Sequence, residues 1–87
     1  MVLIFIPPAW RDLTAGVAEI RLAATTVRQV IAGLEEMFPG ISSRALAEES
    51  LKPGLAVSIN GNISRRGLRA SLPEGAEVHF LPAIGGG

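Results

Sequence analysis

Hydrophobic and polar positions alternate with two different periods along this chain, and the switches between them mark its elements. Val2 to Ile6 is an unbroken apolar run ending at Pro7-Pro8. Its length and β-branched content predict a strand rather than a helix. From Val17 to Ala23, the apolar residues Ala18, Ile20 and Leu22 alternate with charged Glu19 and Arg21, with Val17 the one apolar residue on the charged side. This predicts a second strand, joined to the first as a hairpin through the loop 7–16. The period then lengthens. Val27, Val30, Ile31, Leu34 and Phe38 form one apolar stripe at helical spacing. Thr26 with Gln29 three residues on has the form of a capping box, and Pro39-Gly40 ends the helix. Gly33 within it marks a close approach to the sheet.

The second half is built of shorter pieces. Ser42 to Glu49 predicts a short second helix capped by Ser42 or Ser43, and Lys52-Pro53-Gly54 a turn. Leu55, Val57 and Ile59 alternate with Ala56, Ser58 and Asn60, which predicts a half-buried strand running into the tight turn Asn60-Gly61. Ile63 to Ala70 reads as a short strand or a loop. Leu72-Pro73-Glu74-Gly75 reads as a β-turn with proline second, and Glu77 to Pro82 as the last strand. The helix crosses the sheet so that this last strand lies parallel beside the first. The expected architecture is a two-layer α+β domain: a mixed sheet of four to five strands with one main helix across one face.

Composition narrows the function. Eighty-seven residues, 48% of them hydrophobic, suit one compact domain and argue against disorder. The formal charge is zero, so nothing overall recommends a nucleic-acid or anionic-membrane partner; Arg65, Arg66 and Arg69 are a local basic cluster that suits a solvated loop or a partner contact. The apolar start is too short, and lacks the basic flank, for a signal peptide. No stretch approaches a membrane span. The expected setting is the cytoplasm. There is no cysteine, which excludes disulfides, thiolate metal sites and a cysteine persulfide. His79 is the single histidine, with no second metal ligand beside it. No Ser-His-Asp set or phosphate loop can be assembled, so an enzyme is not expected and no bound cofactor is implied. Trp10, after two prolines, fits either a core edge or an interface.

Gly85-Gly86-Gly87 is the chemical feature. Glycine has no Cβ, so such a tail can enter a channel only wide enough for backbone. It follows directly on the segment Glu77 to Ile84, so a rigid body (1–84) is expected to end in a flexible glycine probe (85–87). On the first strand Leu3 and Phe5 alternate with Val2, Ile4 and Ile6. With the branched set facing the helix, Leu3 and Phe5 project from the other side, near His79 and Leu81 of the parallel last strand.

The run Leu72-Pro73-Glu74-Gly75-Ala76-Glu77-Val78, followed by Leu81-Pro82-Ala83-Ile84-Gly85-Gly86-Gly87, resembles the C-terminal signature of the MoaD/ThiS family of ubiquitin-like sulfur carriers. The resemblance extends over the chain, and its order of elements matches the β-grasp fold. It departs at Ala76, often acidic in that family, and at Gly85, commonly larger. It implies that the Gly87 carboxylate is adenylated with ATP by an E1-like partner enzyme and converted to a thiocarboxylate, with Gly85 and Gly86 recognised in the tail. The strand alternation adds the expected partner-docking face, an exposed apolar patch beside the root of the tail: Leu3, Phe5, His79, Leu81 and Ile84. The acceptor would be a cysteine synthase-like enzyme, a molybdopterin synthase large subunit-like enzyme, or one of thiamine synthesis. Ile6-Pro7, Thr14-Ala15-Gly16, Gly40-Ile41-Ser42-Ser43-Arg44, Gly67-Leu68 and Leu81-Pro82-Ala83-Ile84 together look closer to the carriers that feed cysteine synthesis than to those for thiamine. Two other readings stand beside this one: a modifier joined to lysines through Gly87, and an interaction module with an idle tail.

Overall fold

The computed structural model describes residues 1–82; Ala83, Ile84 and the glycine tail, with the domain and tail boundary expected there, lie outside the described residues. The elements are β1 (Val2–Phe5), β2 (Glu19–Leu22), α1 (Val27–Met37), α2 (Ile41–Ala45), β3 (Leu46–Ala47), β4 (Ser50–Leu51), β5 (Leu55–Ile59), β6 (Asn62–Ser64) and β7 (Glu77–Pro82). Five strands form one sheet in the order β2-β1-β7-β5-β6, and β3 and β4 form a separate small ladder. β1 runs antiparallel to β2 and parallel to β7, and β5 is antiparallel to β7 and β6. This is the mixed two-layer arrangement that the patterning predicts, with the β-grasp order that the resemblance implies.

The core lies between α1 and one face of the sheet. Val27, Val30, Ile31 and Leu34 of α1 meet Val2 and Ile4 of β1, Val57 of β5, and Val78 and Phe80 of β7, all buried. Period-two alternation puts one side of each strand into this layer, and the helical stripe supplies the other wall. Thr26 caps α1 by accepting the Gln29 N–H at 3.2 Å. The return arm is displaced by one residue, because the Gln29 side chain accepts from the backbone N–H of Thr25, at 2.6 Å, rather than of Thr26. A Cβ on Gly33 would lie 3.3 Å from Leu22 Cδ2, which is the close approach expected there.

Four boundaries differ from the sequence reading. β2 is shorter than 17–23: Thr14 Oγ1 donates to the Val17 carbonyl at 2.8 Å, so that carbonyl belongs to the loop. The expected helix 42–49 is replaced by α2 and the β3–β4 ladder. Neither Ser42 nor Ser43 caps it; Gly40 does, at φ 109°. Glu35 accepts the backbone N–H groups of Gly40 and Ser42, at 3.2 and 2.9 Å. Glu48, at φ 59°, cannot continue a right-handed helix. The segment 63–70 divides into β6, which begins at Asn62, and a 3-10 turn at Gly67–Arg69. Finally, the turn before β7 is one residue later than expected. Ala76 N–H bonds the Pro73 carbonyl, because Leu72 is buried and its N–H is held by the Thr25 carbonyl.

Candidate functional site

The sheet face turned away from α1 carries the residues singled out above. Strand register assembles them into a row. Phe5 stands beside Glu19 of β2 and His79 of β7, His79 beside Ser58 of β5, and Ser58 beside Ile63 of β6. The Phe5 and His79 rings stack, with centroids 4.1 Å apart and planes 8° from parallel. Leu3 and Leu81 lie on either side of this row, Leu3 next to Arg21 and Glu77, and Leu81 next to Ala56. All four expected face residues are half-buried, as flat packing on an uncovered sheet allows. Exposed Glu19, Arg21 and Glu77 border the apolar centre, and exposed Ile63 extends it to the sheet edge.

β7 explains why this face and the chain end are neighbours. Val78 and Phe80 point into the core, His79 and Leu81 point out, and Pro82 pairs with Leu55 at the end of the strand. The last strand therefore ends, at Pro82, at the border of the open face. Ile84, Gly85, Gly86 and Gly87 lie outside the described residues.

Trp10 is buried and packs against Phe80, with ring centroids 5.1 Å apart. Phe80 belongs to the core side of β7, so Trp10 closes the end of the core and leaves the open face uncovered. The loop that carries it is tied down from α2. Arg44 makes a two-pronged ion pair with Asp12, at 3.0 and 2.9 Å, and donates to the Ala9 carbonyl at 2.6 Å. The hydrogen bond from Arg44 holds the Asp12 carboxyl below the usual range. This gives the segment 40–44 a structural task at the end of the molecule where Leu81 and Pro82 emerge.

Ser58, Ala56 and Ile63 are the face residues that the sequence reading did not gather. Their signal was available: Ala56 and Ser58 alternate with the core residues of β5, and only the partner register was lacking. Arg65, Arg66 and Arg69 are all exposed and line one surface hollow beyond β6. Among the described residues no cluster of His, Asp or Glu could hold a metal ion, and no helix is long and apolar enough to cross a membrane.

Comparison with known proteins agrees with this geometry. Residues 7–87 match the model of the ThiS family. No curated protein matches the chain. Among solved structures, a chain in the crystal structure of the Amycolatopsis orientalis BexX/CysO complex is 31% identical, with both chains fully covered and a TM-score of 0.90. Mycobacterium tuberculosis CysO is 29% identical, with 97% of this chain and 100% of that one covered and a TM-score of 0.87. The small archaeal modifier protein 1 of Methanosarcina acetivorans is 25% identical, with 99% and 95% covered and a TM-score of 0.79. The sheet order, the likeness to the CysO structures and a family match over residues 7–87 lead to one conclusion: the chain belongs to the ThiS family, as a ubiquitin-like β-grasp carrier protein that is not itself an enzyme.

Proposed function

We propose that this protein carries sulfur as a thiocarboxylate on Gly87. The observation that carries this reading is the placement of β7. Five residues separate Pro82 from the terminal carboxylate, and fully extended they span roughly 17 Å. An enzyme that works on Gly87 therefore also meets the open face around Phe5 and His79. The family match spans residues 7–87 and so takes in the terminal glycines.

The chemistry starts from a carboxylate, which is a poor electrophile. One of its oxygens attacks the α-phosphorus of ATP held by an E1-like partner, and pyrophosphate leaves. The resulting acyl adenylate is a mixed anhydride. Hydrosulfide adds to its carbonyl carbon, AMP leaves, a proton is released, and the terminus becomes a thiocarboxylate. The carrier supplies the reacting carboxylate and access to it; the partner supplies the ATP site and the groups that stabilise the transition state. With no cysteine in the sequence, the terminus is the one place where sulfur would be carried. ATP use sets the reaction in the cytoplasm. The acceptor we favour is a cysteine synthase-like enzyme, in keeping with the likeness to CysO structures.

Intact mass after co-expression with the activating enzyme tests the proposal. The expected product gains the increment of sulfur replacing one oxygen, and loses it on incubation with a cysteine synthase-like acceptor. Likeness to the Methanosarcina modifier supports a second reading, conjugation to lysines through Gly87. High-mass adducts without the sulfur increment would establish that reading in place of the first. An unchanged mass would overturn both.

A further inference from the structure

The arginine hollow is separate from the carboxylate chemistry and from the open face. Arg65, Arg66 and Arg69 line it, and an adjoining depression adds Arg28 from the first turn of α1. The hollow exists because Gly67 adopts φ 55°, which folds the chain tightly enough to bring Arg69 back beside Arg65 and Arg66. The Arg66 N–H bonded to Ser64 Oγ at 3.1 Å fixes the start of that turn.

Folding does not account for this concentration of charge. Among the described residues the ion pairs are Met1 amino group–Glu74 and Arg44–Asp12, and neither includes these four arginines. Glu49 borders the adjoining depression without forming an ion pair. Arg28 sits at the positive end of α1, where a cation is disfavoured. Like charges are thus gathered in one place on a molecule whose net charge is zero.

We propose that this hollow docks an acidic segment of a partner protein. Guanidinium forks recognise carboxylates in pairs, and several forks along one turn match several carboxylates along a peptide. A nucleic acid is a poorer match: no aromatic residue lines the hollow for base stacking, and the rest of the molecule offers no positive field. A single phosphate is also a poorer match. Several backbone donors beside the hollow are already committed, Val27 N–H to the Ala70 carbonyl, Gln29 N–H to Thr26 Oγ1 and Arg69 N–H to the Arg66 carbonyl. Recognition rests on the exposed guanidinium side chains, which stand apart along the turn and so suit several carboxylates better than one anion. The hollow lies past β6, two strands from β7. A partner seated on the open face reaches it around the Ile63 edge.

The test is a titration of the whole chain with hexaglutamate, followed by NMR at the arginine Nε–H groups and the backbone amides. The expected result is saturable shifts at Arg65, Arg66 and Arg69 and the amides 64–68, weakening as salt is raised. The double variant R66Q/R69Q is expected to bind about fivefold more weakly with an unchanged melting temperature. Absence of shifts there, or equal binding by the variant, overturns the proposal. So does tighter binding at the same residues by inorganic phosphate or by a single-stranded RNA oligonucleotide. None of these measurements involves Gly87, so the sulfur reading and this one fail independently.

Discussion

Glu35 is a helix residue whose work is done in the next helix. Its carboxylate accepts the Gly40 and Ser42 N–H groups, and these bonds, Ser42 first, hold its carboxyl below the usual glutamate range. A depressed folded-state value stabilises the protein above the unfolded pKa, about 4.3, and that contribution is lost as pH falls through the folded value. E35Q is therefore expected to lower the melting temperature at neutral pH, with the difference vanishing in acid; thermal melts across pH check it. A constant difference at all pH values would show that the charge is not what matters. Two glycines give opposite expectations. At Gly33 an alanine meets only the Leu22 methyl ends at 3.3 Å, which can give way, while helix propensity improves by about 1 kcal/mol. G33A should be stabilising by roughly 0.5 kcal/mol in urea unfolding. At Gly40, φ is 109° and the added Cβ meets Leu13 Cδ2 at 3.3 Å, so G40A should be destabilising by about 1–2 kcal/mol.

At the scale of elements, the two faces of β1 and β7 separate stability from docking. Ile4 is fully buried under α1, and Ile4→Ala should cost about 3–4 kcal/mol. Phe5 is half-buried and stacks on His79 on the open face, outside the core cluster, so F5S should cost only about 1–2 kcal/mol. F5S and L81S are expected to weaken binding to the activating enzyme while the fold persists, as read by calorimetric titration beside urea unfolding. Normal binding by both variants would remove the open face from the docking site. The clearest elements in the sequence were α1 and β7, because cap, stripe and alternation all act locally there. The segment 42–49 differs from its sequence reading because the N–H groups at its start are satisfied by Glu35, on another element, and because its Leu46 and the following Leu51 pack against the core as a small ladder.

For the whole molecule, the central expectation is that fold and activation come apart. Among the described residues the core is built from Val2 through Phe80, without the glycines of the tail. Deletion of Gly86-Gly87 should leave the melting temperature unchanged and abolish ATP-dependent activation, measured as pyrophosphate release with the partner enzyme. One residue added after Gly87 should block activation equally, because it displaces the carboxylate from the position at which the partner acts. Adenylation of the extended chain without prior cleavage would refute the terminal-carboxylate mechanism.

The sequence alone determined the order of the main elements, the helix-facing side of each main strand and the tail on which the chemistry is proposed. Those depend on local periodicity, on proline and glycine geometry, and on glycine's lack of a side chain. It left the place of Trp10 open, and the fold put it against Phe80 at the end of the core. The sequence also did not contain the register that sets Ser58 and Ile63 beside His79, the reach of Glu35 to Ser42, or the turn that gathers Arg65, Arg66 and Arg69. Each of these is a contact between separate segments. Such contacts exist only once burial of the shared core has fixed how the segments lie against one another.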